Sequence, residues 1–191
     1  MFETAPEWET FMRKIHSINE ASLELAPELQ VSQWFNTARP LNLQELRGRV
    51  VLLQAFEMLC PACVAYGLPQ ATEVHGAFSA SEVAVIGLHS VFEHHQAMTP
   101  QALEVFIQEY RLGFPIAVDA ADPHGPVPQT MQAYGLRGTP SLVVLDHKAR
   151  IRLHHFGRVN DLQLGTLIGQ LRAEVASATS CDADGCALPL A

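Results

Sequence analysis

Short apolar runs alternate with helical stripes along this chain. Val50 to Phe56 reads Val-Val-Leu-Leu-Gln-Ala-Phe, a short apolar run bounded on its left by Gly48, and predicts a buried strand. Val83 to Leu88 predicts a second one. Between them a helix is expected from Pro61 onward, kinked by Gly67 and Pro69, because proline removes a backbone donor and clashes one turn back. Upstream, Thr4-Ala5-Pro6-Glu7 forms a capping box, and Trp8, Phe11, Met12 and Ile15 follow at helical spacing, so a first amphipathic helix is expected to about Ile18. Leu29 to Phe35 predicts a short edge strand, and Leu41 to Leu46 a short element closed by Arg47-Gly48. Downstream, Thr99 caps a helix with Pro100 at its first position and a stripe of Leu103, Phe106, Ile107 and Tyr110, which Gly113 should end. Phe114 to Val118 reads as a strand, Asp119 to Pro128 as loop and Gln129 to Tyr134 as one or two helical turns. Leu142 to Leu145 and Ile151 to Phe156 flank Asp146-His147-Lys148-Ala149 as a hairpin. Asn160 or Asp161 caps a last helix whose buried face is Leu164, Leu167, Ile168, Leu171 and Val175.

The candidate chemistry lies just after the first buried strand, at Cys60-Pro61-Ala62-Cys63. Pro61 suits the first helical position, where a missing N–H costs nothing. Cys60 therefore sits ahead of a helix N-terminus, whose free N–H groups and positive dipole end favour an anion there. The thiolate is the nucleophile of thiol–disulfide exchange. Cys63 lies about one turn further on the same face, close enough for a disulfide. Half of a zinc site is the competing reading. It would want a second ligand pair inside the fold, and the remaining cysteines, Cys181 and Cys186, fall near the C-terminus.

Composition narrows the picture. The chain has 191 residues, 48% hydrophobic and 17% charged, enough for one globular domain with some decoration. A net charge of −8 with two lysines, Lys14 and Lys148, argues against a nucleic-acid or anionic-membrane surface. No apolar run is long enough to span a bilayer. The acidic start, Met1 to Glu9, lacks a basic region and apolar centre, so a cytoplasmic address is expected, or a periplasmic one if a leader has been trimmed. The expected organisation is a helical extension over residues 1–28, a domain over 29–175 and a flexible cysteine-containing tail over 176–191.

Strands alternating with helices up to a closing hairpin and helix imply a mixed α/β sheet covered on both faces. With Cys-x-x-Cys after the first central strand and Gly138-Thr139-Pro140 just before the hairpin, the chain resembles the thioredoxin superfamily. Within it, the chain is similar to thiol–disulfide oxidoreductases of the TlpA/ResA type, related to AhpC/TSA proteins. Those carry an extra helix and strand between active-site unit and hairpin, the place that Thr99–Tyr110 and Phe114–Val118 fill here. The resemblance implies that Cys60 is the nucleophile and Cys63 the resolving thiol. It implies that Pro140 is a cis-proline facing them and that Thr139 offers backbone hydrogen bonds to a bound peptide. Pro61 and Ala62 would border the substrate and influence the reduction potential. No cofactor or metal is called for. The implied partners are protein thiols or disulfides and an upstream electron donor or acceptor.

Three departures from the family pattern stand out. Leu59 occupies a position that is often tryptophan. Gln54 stands where thioredoxin buries an acid, so proton transfer from Cys63 would need Glu57, otherwise read as a solvated loop residue, or water or substrate. Pro69 follows the second cysteine by six residues where five is usual, which should shift the kink.

Cys181 and Cys186 leave several readings open. Eleven residues separate Val175 from Cys186, and at about 3.3 Å each an extended tail reaches over ~35 Å, enough for a redox relay to Cys60–Cys63. Idle thiols, a labile local disulfide and a metal site are the alternatives. His154 and His155, adjacent on a strand, should point to opposite faces, whereas the loop pair His94-His95 could share a metal. His89 and Ser90 could line the active-site edge. The competing functions are a peroxiredoxin-like peroxidase, disfavoured because Glu57 stands where that family has a hydroxyl, and a copper-binding or redox-sensing module.

Overall fold

Strands β1 (Val31–Phe35), β2 (Val50–Phe56), β3 (Val83–His89), β4 (Ile116–Asp119), β5 (Ser141–Leu145) and β6 (Ile151–Phe156) form one sheet, ordered β1-β4-β3-β2-β5-β6. The computed structural model describes residues 23–184, with side chains described to residue 176. The Thr4-capped helix and Cys186 lie outside the described residues. β2, β3 and β4 run parallel, whereas β5 and β6 are antiparallel to their neighbours and β1 is an antiparallel edge against β4. All seven residues of both β2 and β3 are buried, as central strands covered on two faces require.

The helices are α1 (Leu68–Ala77), α2 (Pro100–Glu109), α3 (Gln129–Ala133) and α4 (Asp161–Asp184). One face of the sheet carries Leu52, Phe56, Val85 and Ile116 against Leu68 and Val74 of α1, Leu103 and Ile107 of α2, and Leu164, Leu167, Ile168 and Leu171 of α4. Each such side chain contributes roughly 1.5–3 kcal/mol when fully buried. The opposite face packs Leu53, Ile86, Leu88 and Val143 against Leu43, Leu46, Met131 and Tyr134. The Leu41–Leu46 stretch is a series of turns, not a regular element; its buried Leu43 and Leu46 act as plugs on this second face.

The extra helix and strand expected from the sequence are α2 and β4, with Thr99 accepting the Ala102 N–H as the N-cap of α2. α2 stops earlier than Gly113. Arg111 takes the left-handed conformation at φ 51, and Leu112 N–H and Arg111 N–H return to the carbonyls of Ile107 and Gln108. That is a Schellman closure, sealed by burial of both Leu112 and Ile107. At the other end of the chain, α4 continues past Val175 to Asp184. The stretch beyond Val175 is rich in alanine and holds no breaker before Gly185, which lets the helix propagate. Residues 24–26 join the sheet periphery: Leu25 bridges Arg150, and Ala26 N–H bonds to the Ala149 carbonyl at 2.9 Å.

Candidate active site

β2 ends at Phe56 and the chain turns through Glu57, Met58 and Leu59 to Cys60. Helical backbone begins at residue 61, and Cys60 closes its first turns by accepting from Cys63 N–H (3.1 Å) and Val64 N–H (3.2 Å) at its carbonyl. Cys60 is thus the residue flanking a helix N-terminus, as its sequence context requires. Cys60 and Cys63 are both thiols; Cys60 is half-buried and Cys63 fully buried. The Cys63 N–H also donates to Cys60 Sγ at 3.3 Å, so a backbone donor points at the candidate nucleophile.

The helix does not continue in ordinary form. Cys63–Gly67 is a π-helical turn, closed by Leu68 N–H on the Cys63 carbonyl, and α1 follows directly. A π-turn accommodates one residue more than an α-turn. That is the extra residue that moved Pro69 from five to six positions after the second cysteine. Where a shifted kink is expected, the winding changes, and Pro69 falls in the first turn of α1. Gly67 is required here for contact: a Cβ would lie 3.1 Å from both Gln54 Nε2 and the Pro140 side chain.

Pro140 arrives from the far side. Thr139–Pro140 is a cis peptide bond, and the Thr139 carbonyl accepts from Cys60 Sγ at 3.5 Å. Gly138, at φ 159, lets the chain pass under the Phe156 ring, where a Cβ would come within 2.9 Å of the ring. Ser141 follows, its hydroxyl donating to the Gly138 carbonyl at 2.7 Å. Gln54, at the position of thioredoxin's buried acid, is itself buried; its amide donates to the carbonyls of Ala55 and Ser141, both at 3.2 Å. It links β2 to the strand leaving the cis-proline and carries no proton-accepting role.

Glu57 is not a solvated loop residue; it is 2% exposed. Its Oε1 accepts from Phe92 N–H at 3.1 Å and its Oε2 from the Thr139 hydroxyl at 3.3 Å. Burial pushes its carboxyl above the usual range; the Phe92 N–H opposes that shift and the nearby Glu93 charge adds to it. Burial, with Cys60 beside it, also pushes the Cys63 thiol up to about 12, opposed by the Glu57 backbone N–H and the Thr139 hydroxyl. Cys63 therefore needs an acceptor for its proton before it can attack.

Of the other sequence candidates, Pro61 and Ala62 lie beside the thiols in the first helical residues. Cys181 falls within the helical backbone of α4, and Cys186 outside the described residues. His89 and Ser90 do not line an open edge: both are buried. His89 packs beside Phe56 with ring centroids 5.3 Å apart, and burial lowers its pKa to about 4. Ser90 donates to Asp119 at 2.9 Å. No cluster of three or more metal-ligating side chains occurs among the described residues. Two cation–aromatic pairs were missed by sequence reasoning: Tyr66 under the Arg158 guanidinium (5.0 Å) and Phe156 under Arg137 (5.7 Å). Leu59, next to Cys60 and 58% exposed, and Phe156, beside Gly138, leave apolar surface uncovered near the thiols, whereas Tyr66 lines a groove with Pro69, Gln70 and Arg158; arginine two residues beyond the hairpin strand was the available signal.

A dithiol at the end of a central parallel strand, opposed by a cis-proline on a mixed six-stranded sheet, defines a thioredoxin-like thiol–disulfide oxidoreductase site. The comparisons agree. The AhpC/TSA family model matches residues 24–154, and the chain belongs to that family. It is 53% identical to a solved thioredoxin-like superfamily protein, SPOA0173, over 78% of this chain and 96% of that one, with a TM-score of 0.76. It is 48% identical to a solved thiol-disulfide isomerase from Corynebacterium glutamicum, covering 80% and 98%, with a TM-score of 0.77. Among curated proteins it is 23% identical to the thiol-disulfide oxidoreductase ResA of Halalkalibacterium halodurans, over 70% of this chain and 69% of that protein. It is also 28% identical to protein DipZ of Mycobacterium tuberculosis, over 76% of this chain; it spans only 20% of DipZ.

Proposed function

We propose that the protein exchanges disulfides with protein substrates through Cys60 and Cys63. The observation that carries this reading is the position of Cys60, flanked at 3.3 Å by the Cys63 N–H and at 3.5 Å by the carbonyl preceding the cis-proline. In the reductive direction the Cys60 thiolate attacks one sulfur of a substrate disulfide, and the other sulfur leaves as a thiolate. Cys63 then loses its proton, attacks Cys60 Sγ and expels the second substrate thiolate, leaving a Cys60–Cys63 disulfide. The substrate gains two electrons and the enzyme dithiol loses them; the reverse sequence oxidises a substrate dithiol, and direction follows the potential of the pair against its compartment. Pro61, Ala62 and the Thr139–Pro140 backbone border the approaching peptide, and Leu59 and Phe156 offer it apolar surface. Glu57 is the proton acceptor for Cys63, a role supported by its burial and raised carboxyl. The relatives called isomerase and oxidoreductase support the same chemistry.

The test is a redox titration with thiol trapping and peptide-resolved mass spectrometry, with insulin disulfide as substrate. Cys60→Ser should abolish turnover, and Cys63→Ser should accumulate a mixed disulfide at Cys60. If Cys60 and Cys63 never form a reversible disulfide, the reading fails. The same spectra follow Cys181 and Cys186; linkages from either to Cys60 or Cys63 would add a relay.

A further inference from the structure

Resting on that reading, we propose that the Thr139 side-chain hydroxyl is the proton relay between Cys63 and Glu57. The backbone role of Thr139 beside the cis-proline does not require its side chain, yet the hydroxyl is committed inward. It donates to Glu57 Oε2 at 3.3 Å, while the other carboxylate oxygen is occupied by the Phe92 N–H at 3.1 Å. Oε2 is therefore the oxygen that the hydroxyl can protonate. Cys63 is 0% exposed, so its proton has no direct exit to solvent. The groups that act on its thiol to favour the thiolate are the Glu57 backbone N–H and the Thr139 hydroxyl, whereas the Glu57 carboxylate reaches Thr139. The hydroxyl thus acts on both the thiol and the carboxylate.

A hydroxyl is suited to this place because it donates and accepts at once. Before transfer its hydrogen points to Glu57 Oε2, which leaves its lone pairs to accept from Cys63. As Cys63 gives up its proton to Thr139 Oγ1, the Thr139 hydrogen passes to Oε2. The S–H and the original O–H bonds break, and a new Oγ1–H and an Oε2–H form. No charge leaves the site: a carboxylate and a thiol become a carboxylic acid and a thiolate. The hydrogen-bond chain then runs in the opposite sense, from Glu57 to Thr139 to the Cys63 thiolate, which is the state that attacks Cys60 Sγ. The titratable groups facing this chain are Glu57, Cys60 and, across the loop after β3, Glu93, whose charge helps hold the Glu57 proton once it arrives.

The experiment isolates the second step. The reduced protein is mixed with a single-disulfide peptide, quenched in acid at intervals, and the mixed disulfide at Cys60 is followed by mass spectrometry from pH 5 to 9. Thr139→Val should slow decay of the mixed disulfide by about 100-fold, read relative to the rate of peptide capture by Cys60 in the same variant. Thr139→Ser should restore the decay. Glu57→Gln should slow it as much as Thr139→Val and flatten its dependence on pH, and the double variant should be no slower than either single one, since both lie on one path. Thr139→Ala repeats the hydroxyl deletion in a smaller side chain, should the valine variant fail to fold. Wild-type decay in a folded Thr139→Val or Thr139→Ala protein overturns the relay, as does slowing that multiplies in the double variant. Absence of any mixed disulfide in the wild-type protein would instead overturn the exchange reading itself.

Discussion

Glu57 and Asp146 are carboxylates buried to the same degree, 2% and 1% exposed, at opposite ends of the sheet, yet their proton affinities move in opposite directions. Asp146 sits in the β5–β6 turn. Burial alone would raise its carboxyl, but the Arg150 N–H, the Arg150 guanidinium and the Lys148 N–H more than offset that and hold it below the ordinary range. Its Oδ2 meets Arg150 Nε at 2.7 Å, with Arg152 at 3.6 Å. Glu57 has the Phe92 and Glu93 backbone N–H groups and one hydroxyl, and the charge that acts on it is another carboxylate, Glu93. The difference teaches that burial does not decide what a carboxylate does; its company does. Surrounded by cationic and N–H donors, Asp146 is locked as an anion and braces the hairpin. Left with neutral donors next to a thiol, Glu57 is free to change protonation state.

The comparison breaks most visibly at Asp146. Asp146→Ala should cost about 3–5 kcal/mol in stability, because it removes the buried partner of the Arg150 guanidinium and the acceptor of two turn N–H groups, and urea denaturation reads this directly. Cys60 reactivity toward an alkylating reagent should not follow. Glu57→Gln should do the reverse. Its stability should stay within about 1 kcal/mol of wild type, since an isosteric amide keeps the shape and drops a poorly favoured charge, while turnover falls by about 100-fold. A loss of stability as large as that at Asp146 would make Glu57 structural.

The two residues should also tilt the pH dependence of stability in opposite senses. A carboxyl raised in the folded state holds its proton there after the unfolded chain has lost it, so Glu57 makes stability fall as pH climbs from about 4.5 toward its folded value. A depressed carboxyl makes stability fall as pH drops below about 3.8, which is the contribution of Asp146. Denaturation midpoints across acid pH for Glu57→Gln and Asp146→Asn should lose the respective slopes. The smallest effect is expected at a third carboxylate, Glu82. It pairs with Arg172 on the surface, with side chains 45% and 38% exposed, so Glu82→Gln should move stability by less than about 0.5 kcal/mol, and less still in high salt.

The contrast also explains what could be read beforehand. The central strand, the Cys60–Cys63 pair, the Thr139–Pro140 turn and the hairpin are local patterns, and each was legible from a few consecutive residues. Glu57 was not, because its environment is built by Phe92 and Thr139, 35 and 82 residues away in sequence. A glutamate after a strand is usually solvated; only the fold brings a neighbouring loop over it. The end of α2 was misjudged for a smaller reason. Gly113 was the obvious stop, yet Arg111 adopts the left-handed conformation because Leu112 and Ile107 gain burial by closing there. α4 outran its apolar stripe because helical backbone persists where no residue breaks it.

The π-turn at Cys63–Gly67 has a bearing on how this helix tolerates length. In an α-helix, adding one residue rotates everything downstream by about 100°, which would swing Leu68, Ala71 and Val74 off the sheet. Here the five-residue step from Cys63 to Leu68 absorbs the addition within one wide coil, and those three side chains remain buried. The turn therefore acts as a phase corrector between the chemical end of the helix and its packing end. The spacing of residues around the thiols can vary while the angular alignment of the helix with the core stays fixed.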